Sequence, residues 1–128
     1  MTNQNAKDWV KDIKKIDLQT VQTFCSNEKD GIGKITATQL RKFFGAVKSI
    51  DMTYRLKPHE FNPIEVKLLL PALAYAVGRE KNEKKQALEK LYNVLKAGID
   101  EVKTIDEFNN FVSLFEAIVA YKKYADKN

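Results

Sequence analysis

Arg41, Lys48 and Arg55 follow one another at intervals of seven residues. On a helix that spacing keeps all three along one stripe, which drifts by about 20° per seven residues. The ends of the stripe stand about 21 Å apart at ~1.5 Å per residue. The chemistry on offer is anion binding, because a guanidinium presents a planar fork of donors that fits phosphate, whereas an ammonium acts as a point charge. Residues 34–57 hold six cations, Lys34, Arg41, Lys42, Lys48, Arg55 and Lys57, against one acid, Asp51. The remainder of the chain balances sixteen basic against sixteen acidic residues. The formal charge of +5 therefore sits on one short segment, and so concentrated a positive region is an electrostatic footprint for a polyanion. Arg79 closes an apolar segment, where a cation also complements a helix dipole. Gly45 lies near the same side of the stripe. There it is either a place for a backbone to approach or a defect tolerated at a cost of ~1 kcal/mol against Ala.

A second stretch, EKDGIGKITATQ, looks like a calcium loop at first sight. With Gly33 at the sixth position, Glu28 and Asp30 stand at the first and third, but the fifth is Ile32 and the twelfth is Gln39, so two of four ligand anchors are missing. A glycine-containing turn before a helix explains the same letters, with Thr36 and Gln39 as a capping box. Cys25 and His59 are single representatives of their types, too few for an intramolecular disulfide or a zinc set. Neither a phosphate loop nor a nucleophile motif is present, so catalysis, a metal site and a cofactor are not expected. Phe43, Phe44, Phe111 and Phe115 have the spacing of a core. That leaves Tyr75, Tyr121 and Tyr124 as candidate rings for stacking.

The elements that must carry these residues read as helices. At 128 residues, with five glycines and three prolines, the chain suits a single all-α domain. Five helices are expected. The first spans about residues 7–26, with residues 1–10 open to disorder because their apolar spacing is weak. The second starts at Thr36 and puts Leu40, Phe43, Phe44, Val47 and Tyr54 on one face. Asp51 intrudes on that face, so the helix must bend, end early, or pair the carboxylate with a nearby base. The third begins at Asn62-Pro63 and contains LLLPALAYAVG, apolar on nearly every side as a central helix would be, with Pro71 expected to kink it. The fourth spans about residues 82–102, and the fifth follows a second capping box at Thr104 and Glu107. The predicted architecture is a single-domain five-helix bundle with a kinked central helix. The polar opening MTNQNAKDW predicts no secretory leader, the apolar run from Leu68 to Val77 is too short for a membrane span, and a cytoplasmic location is expected.

Three segments, KITATQLRKFFGAVKSI, LLPALAYAVGR and FNNFVSLFEAIVAYKKY, together resemble the small helical subunit of the type III-A CRISPR effector, the Csm complex. The likeness covers roughly residues 33–124. It implies a noncatalytic RNA-binding subunit in antiviral defence, present in several copies stacked on one another along guide and target RNA. It also implies contacts with the repeated backbone subunit, the large subunit and neighbouring copies, and none with a membrane. A complex that accepts any guide must bind without reading bases, which calls for phosphate contacts. Lys34, Gln39, Arg41, Lys42, Lys48, Arg55 and Arg79 are the expected RNA-binding residues. The alternative is a structural adaptor whose positive face binds acidic protein surfaces without touching RNA.

Overall fold

The computed structural model describes residues 1–126, and all their regular structure is helical. The helix expected over residues 7–26 is instead two. Thr2 and Asn5 form a capping box that opens α1 (Asn3–Lys11), so the stretch left open to disorder holds a helix whose Ala6, Trp9 and Val10 are buried. Asp12 then accepts from Lys14 N–H at 3.1 Å and starts a 3₁₀ turn (Ile13–Lys15). Asp17 accepts from Gln19 and Thr20 N–H and caps α2 (Leu18–Ser26). Short carboxylates bond nearby backbone more readily than they sit inside a helix, so two of them five residues apart break it.

The loop from α2 to α3 is a plug, with Ile32 and Ile35 buried. Ile32 N–H donates to the Phe24 carbonyl at 2.9 Å, and a Cβ on Gly31 would collide with that same oxygen. Glycine is required there by close approach of backbone to backbone. The Thr36–Gln39 capping box opens α3 (Ala37–Arg55), which runs unbroken for 19 residues. A 3₁₀ turn (Pro58–Glu60) and the Asn62 cap lead to α4 (Pro63–Lys67) and α5 (Leu69–Arg79). The expected kink is a break instead: the chain turns at Leu68, and Pro71 falls in the first turn of α5. In a first turn the missing N–H of proline has no carbonyl to serve, which is why the break precedes it. Next come α6 (Asn82–Asp100) and, after the Thr104–Glu107 capping box, α7 (Ile105–Asp126).

The central helix is α7, not the apolar segment of the sequence. It packs against α1, α2 and α3 and buries Phe108, Phe111, Leu114, Phe115 and Ile118 in the one core cluster. By contrast α5 lies at the edge, packed mainly on α6 through Leu73 and Val77. Three of its eleven residues are alanine, whose small side chain yields little on burial, and the bulky phenylalanines of α7 take the interior. Among the described residues no helix is long and apolar enough to cross a membrane.

Candidate nucleic-acid interface

The basic stripe begins where α3 begins. Thr36 Oγ1 accepts from Gln39 N–H at 3.2 Å, and Gln39 Oε1 accepts from Thr36 N–H at 3.0 Å. A third donor, Ala37 N–H, is taken by the Asp126 carboxylate of α7 at 2.8 Å. The start of α3 is therefore pinned to the end of α7, and the backbone that carries Arg41 and Lys42 is fixed before either side chain reaches solvent.

Arg41 and Lys42 are exposed, with no ion-pair partner among the described residues. Consecutive residues stand about 100° apart around a helix, so they flank the outward face on two sides. Arg41 borders a recess of about 350 Å³ with Lys34, Thr38, Lys123 and Asp126. Lys42 borders a smaller one, about 80 Å³, with Gln39 of its own helix and Ala76, Arg79 and Glu80 at the end of α5. Arg79 lies with its guanidinium 5.4 Å from the centre of the exposed Tyr75 ring.

The far half of the stripe is different. Asp51, 5 % exposed, sits between Lys48 and Arg55. Its Oδ2 accepts from Lys48 Nζ at 3.2 Å, Arg55 Nε at 3.2 Å and Arg55 Nη2 at 2.9 Å. The drift of a seven-residue repeat carries Lys48 and Arg55 toward the buried side, within reach of that carboxylate. Of the three outcomes open to Asp51, pairing with a base is the one found. Lys34 is also engaged, by Glu28 at 3.2 Å and Glu83 at 3.3 Å. Hydrogen bonds donated to these two carboxylates, Glu28 first, push its ammonium above the ordinary lysine value.

Glu28 thus pairs with a lysine, Ile32 is buried and Gln39 is part of a cap, which accounts for the calcium-like letters. Among the described residues no three His, Cys, Asp or Glu gather where they could hold a metal ion. Cys25 lies in the core, its thiol donating to the Ile118 carbonyl at 3.3 Å and pushed up to about 12 by burial. Lys123 of α7 shares a recess with Arg41 and was not among the sequence candidates. Its place 82 positions along the chain gives no periodic signal, and only the packing of α7 on α3 brings it there.

Fold and surface together define the class: a small all-helical protein that turns unpaired cations and apolar side chains outward. Exposed Leu56, Leu68, Met52 and Tyr75 lie on or near the same two helices as the cations. The chain belongs to the Csm2 Type III-A family, whose model matches residues 12–128. It is accordingly a small subunit of the type III-A Csm complex, in a family of structural subunits. No curated protein and no solved structure matches it.

Proposed function

We propose that this subunit is noncatalytic, stacks in several copies along the complex, and binds guide and target RNA without reading sequence. In that role it meets the repeated backbone subunit, the large subunit and its own neighbours, in the cytoplasm. The observation that carries the reading is the exposure of Arg41, Lys42 and Arg79 without a carboxylate partner among the described residues. An unpaired surface cation can exchange its counterion for a phosphate, and the entropy of the released ions drives binding irrespective of base. Gln39 adds neutral donors from its amide nitrogen, whose oxygen is already used by the cap. Lys34, Lys48 and Arg55 complete the set in a weaker position, because each must leave a carboxylate before it can serve a phosphate.

The adaptor reading, in which the positive face meets acidic protein and no RNA, draws on the exposed apolar side chains near the same helices, with Leu56 87 % exposed. Crosslinking to RNA within the assembled complex separates the two. Arg41→Ala with Lys42→Ala is the direct test, read by titrating RNA into the complex at several salt concentrations. Losing two phosphate contacts should flatten the slope of log affinity against log salt by about 1.4 to 1.8. An unchanged slope, with no crosslink from α3 or α5, leaves the adaptor as the function. Affinity of a single copy is expected to be low, since stacked copies add through effective concentration.

A further inference from the structure

Tyr75 is 68 % exposed, its hydroxyl has no hydrogen-bond partner among the described residues, and one helical turn later Arg79 places its guanidinium over the ring. We propose that Tyr75 and Arg79 form a stacking platform for an unpaired RNA base beside the groove between α3 and α5. The proposal rests on the RNA-binding reading above and adds to it a contact that is not made to phosphate.

The size of the groove supports the assignment. Bounded by Gln39, Lys42, Ala76 and Arg79, it has a volume of about 80 Å³. Lys42 and Arg79 both border this small space, which suits the oxygens of a phosphate. A nucleotide whose phosphate lies between Lys42 and Arg79 has a flat apolar surface beside it, the Tyr75 ring next to Arg79. Ala72 and Gly78, about one turn before and after Tyr75, are small, and a Cβ added at Gly78 would meet no atom within 4 Å.

Charge arrangement points the same way. Glu80 lines the groove and directly follows Arg79 in the chain, yet no ion pair forms between them. The guanidinium lies on the aromatic face instead, where the cation is attracted by the ring quadrupole and restricts its motion. A restrained ring loses less freedom when a base stacks on it. Two cations face one carboxylate in the groove, leaving a net positive charge for a phosphate. Of the other candidate rings, Tyr121 is half-buried against the core, and Tyr124 borders a recess away from this groove, with Gln22, Ser26 and Lys122.

The test uses the complex assembled with the full chain and a single-stranded RNA carrying a fluorescent adenine analogue that is quenched by stacking, titrated at two salt concentrations. Tyr75→Phe should behave as the unaltered chain. Tyr75→Ala and Tyr75→Leu should both lose the quenching and bind at least about five-fold more weakly, as expected for one lost base stack, with the salt slope unchanged. Arg41→Ala is the electrostatic control and should flatten the slope while keeping the quenching. If the Tyr75 variants keep affinity and quenching while Arg41→Ala flattens the slope, the platform is wrong and the phosphate reading stands. If the unaltered complex shows no quenching and Arg41→Ala leaves its slope unchanged, both fail. If Tyr75→Leu matches the unaltered chain while Tyr75→Ala is taken up poorly into the assembled complex, the ring belongs to an apolar protein contact and the platform is overturned.

Discussion

The two halves of α3 carry the same kinds of side chain in different electrostatic circumstances. Toward the start, Arg41 and Lys42 reach solvent with no ion-pair partner among the described residues, on backbone held by α7. Toward the end, Lys48 and Arg55 converge on the buried Asp51. A count of cations along the sequence treats these halves alike, and a strand of RNA would not. Where a carboxylate already holds the cation, binding a phosphate exchanges one anionic partner for another, and the gain is the difference between them. Where only solvent ions surround it, the gain is the whole of counterion release. The helix therefore has a ready half and a neutralised half, and the boundary falls between Lys42 and Lys48.

The largest expected effect comes from removing what holds the ready half in place. Lys122, 2 % exposed, donates to Asp126 Oδ1 at 2.6 Å and reaches the Gly33 carbonyl at 3.4 Å, while the other Asp126 oxygen takes Ala37 N–H. One ion pair at the end of α7 thus closes over both the α2–α3 loop and the first turn of α3. Lys122→Met keeps the stem and removes the charge, and should cost about 3 kcal/mol, the lower end for a broken buried pair because Asp126 retains some contact with water. A lowered urea midpoint at unchanged denaturant slope would show it. A loss below ~1 kcal/mol would mean that packing alone holds this end.

The same pair sets an acid limit. Burial on its own would push the Asp126 carboxyl up, but hydrogen bonds from Lys122 and from Ala37 N–H, with the nearby lysine charges, hold it below the ordinary aspartate value. A carboxyl with a lowered folded value contributes stability that is complete above the unfolded value, near ~4, and disappears as pH falls through the folded one. Melting followed from pH 6 to pH 2 should therefore show an acid loss that is smaller in Asp126→Asn, which has no such proton to gain. Equal acid losses in the two chains would assign the effect to other carboxylates.

Releasing the neutralised half is the next step down. Asp51→Asn leaves the shape nearly intact and frees Lys48 and Arg55, both able to turn into water since Arg55 is already largely exposed. The expected stability cost is about 1 kcal/mol, reduced by that solvent access. The informative readout is RNA affinity, whose salt slope should steepen by up to about 1.4 to 1.8 if both freed cations take a phosphate. A slope that stays put would show that RNA never passes over the second half of α3, and would narrow the interface to Arg41, Lys42 and Arg79.

Much of this arrangement was legible from residue types. The start of α3 and of α7 follow from Thr and Gln or Glu at fixed offsets, and the core face of α3 from its three-four spacing. The Asp51 pairing was one of three readings, and sequence could not choose because the choice depends on how far a drifting stripe turns toward the interior. The breaks at Asp12–Asp17 and Leu68 were missed for a related reason: each is a local competition for backbone donors that an apolar pattern does not register. The mistaken centre of the bundle has another origin. Alanine and leucine count alike in an apolar run, but burial favours volume, and Phe108, Phe111 and Phe115 supply more of it than α5 does. Lys123 and Asp126 reach the interface only through tertiary packing.

The smallest effect falls on the boundary itself. Gly45 is one turn beyond Arg41 and Lys42 and lies between their two directions on the exposed face, and a Cβ added there would meet no atom within 4 Å. It lies inside the unbroken α3, and its carbonyl also accepts from Ser49 Oγ at 3.1 Å. Gly45→Ala should therefore stabilise the chain by about 0.8 kcal/mol, through helix propensity alone. A strand that engages Arg41 and Lys42 together has to cross the ridge between them, which runs over Gly45. The substitution should then weaken RNA binding while raising the melting temperature, a combination that no loss of folding could mimic. If stability rises and affinity is unaltered, Arg41 and Lys42 serve separate partners on separate flanks, and the ready half of α3 divides in two.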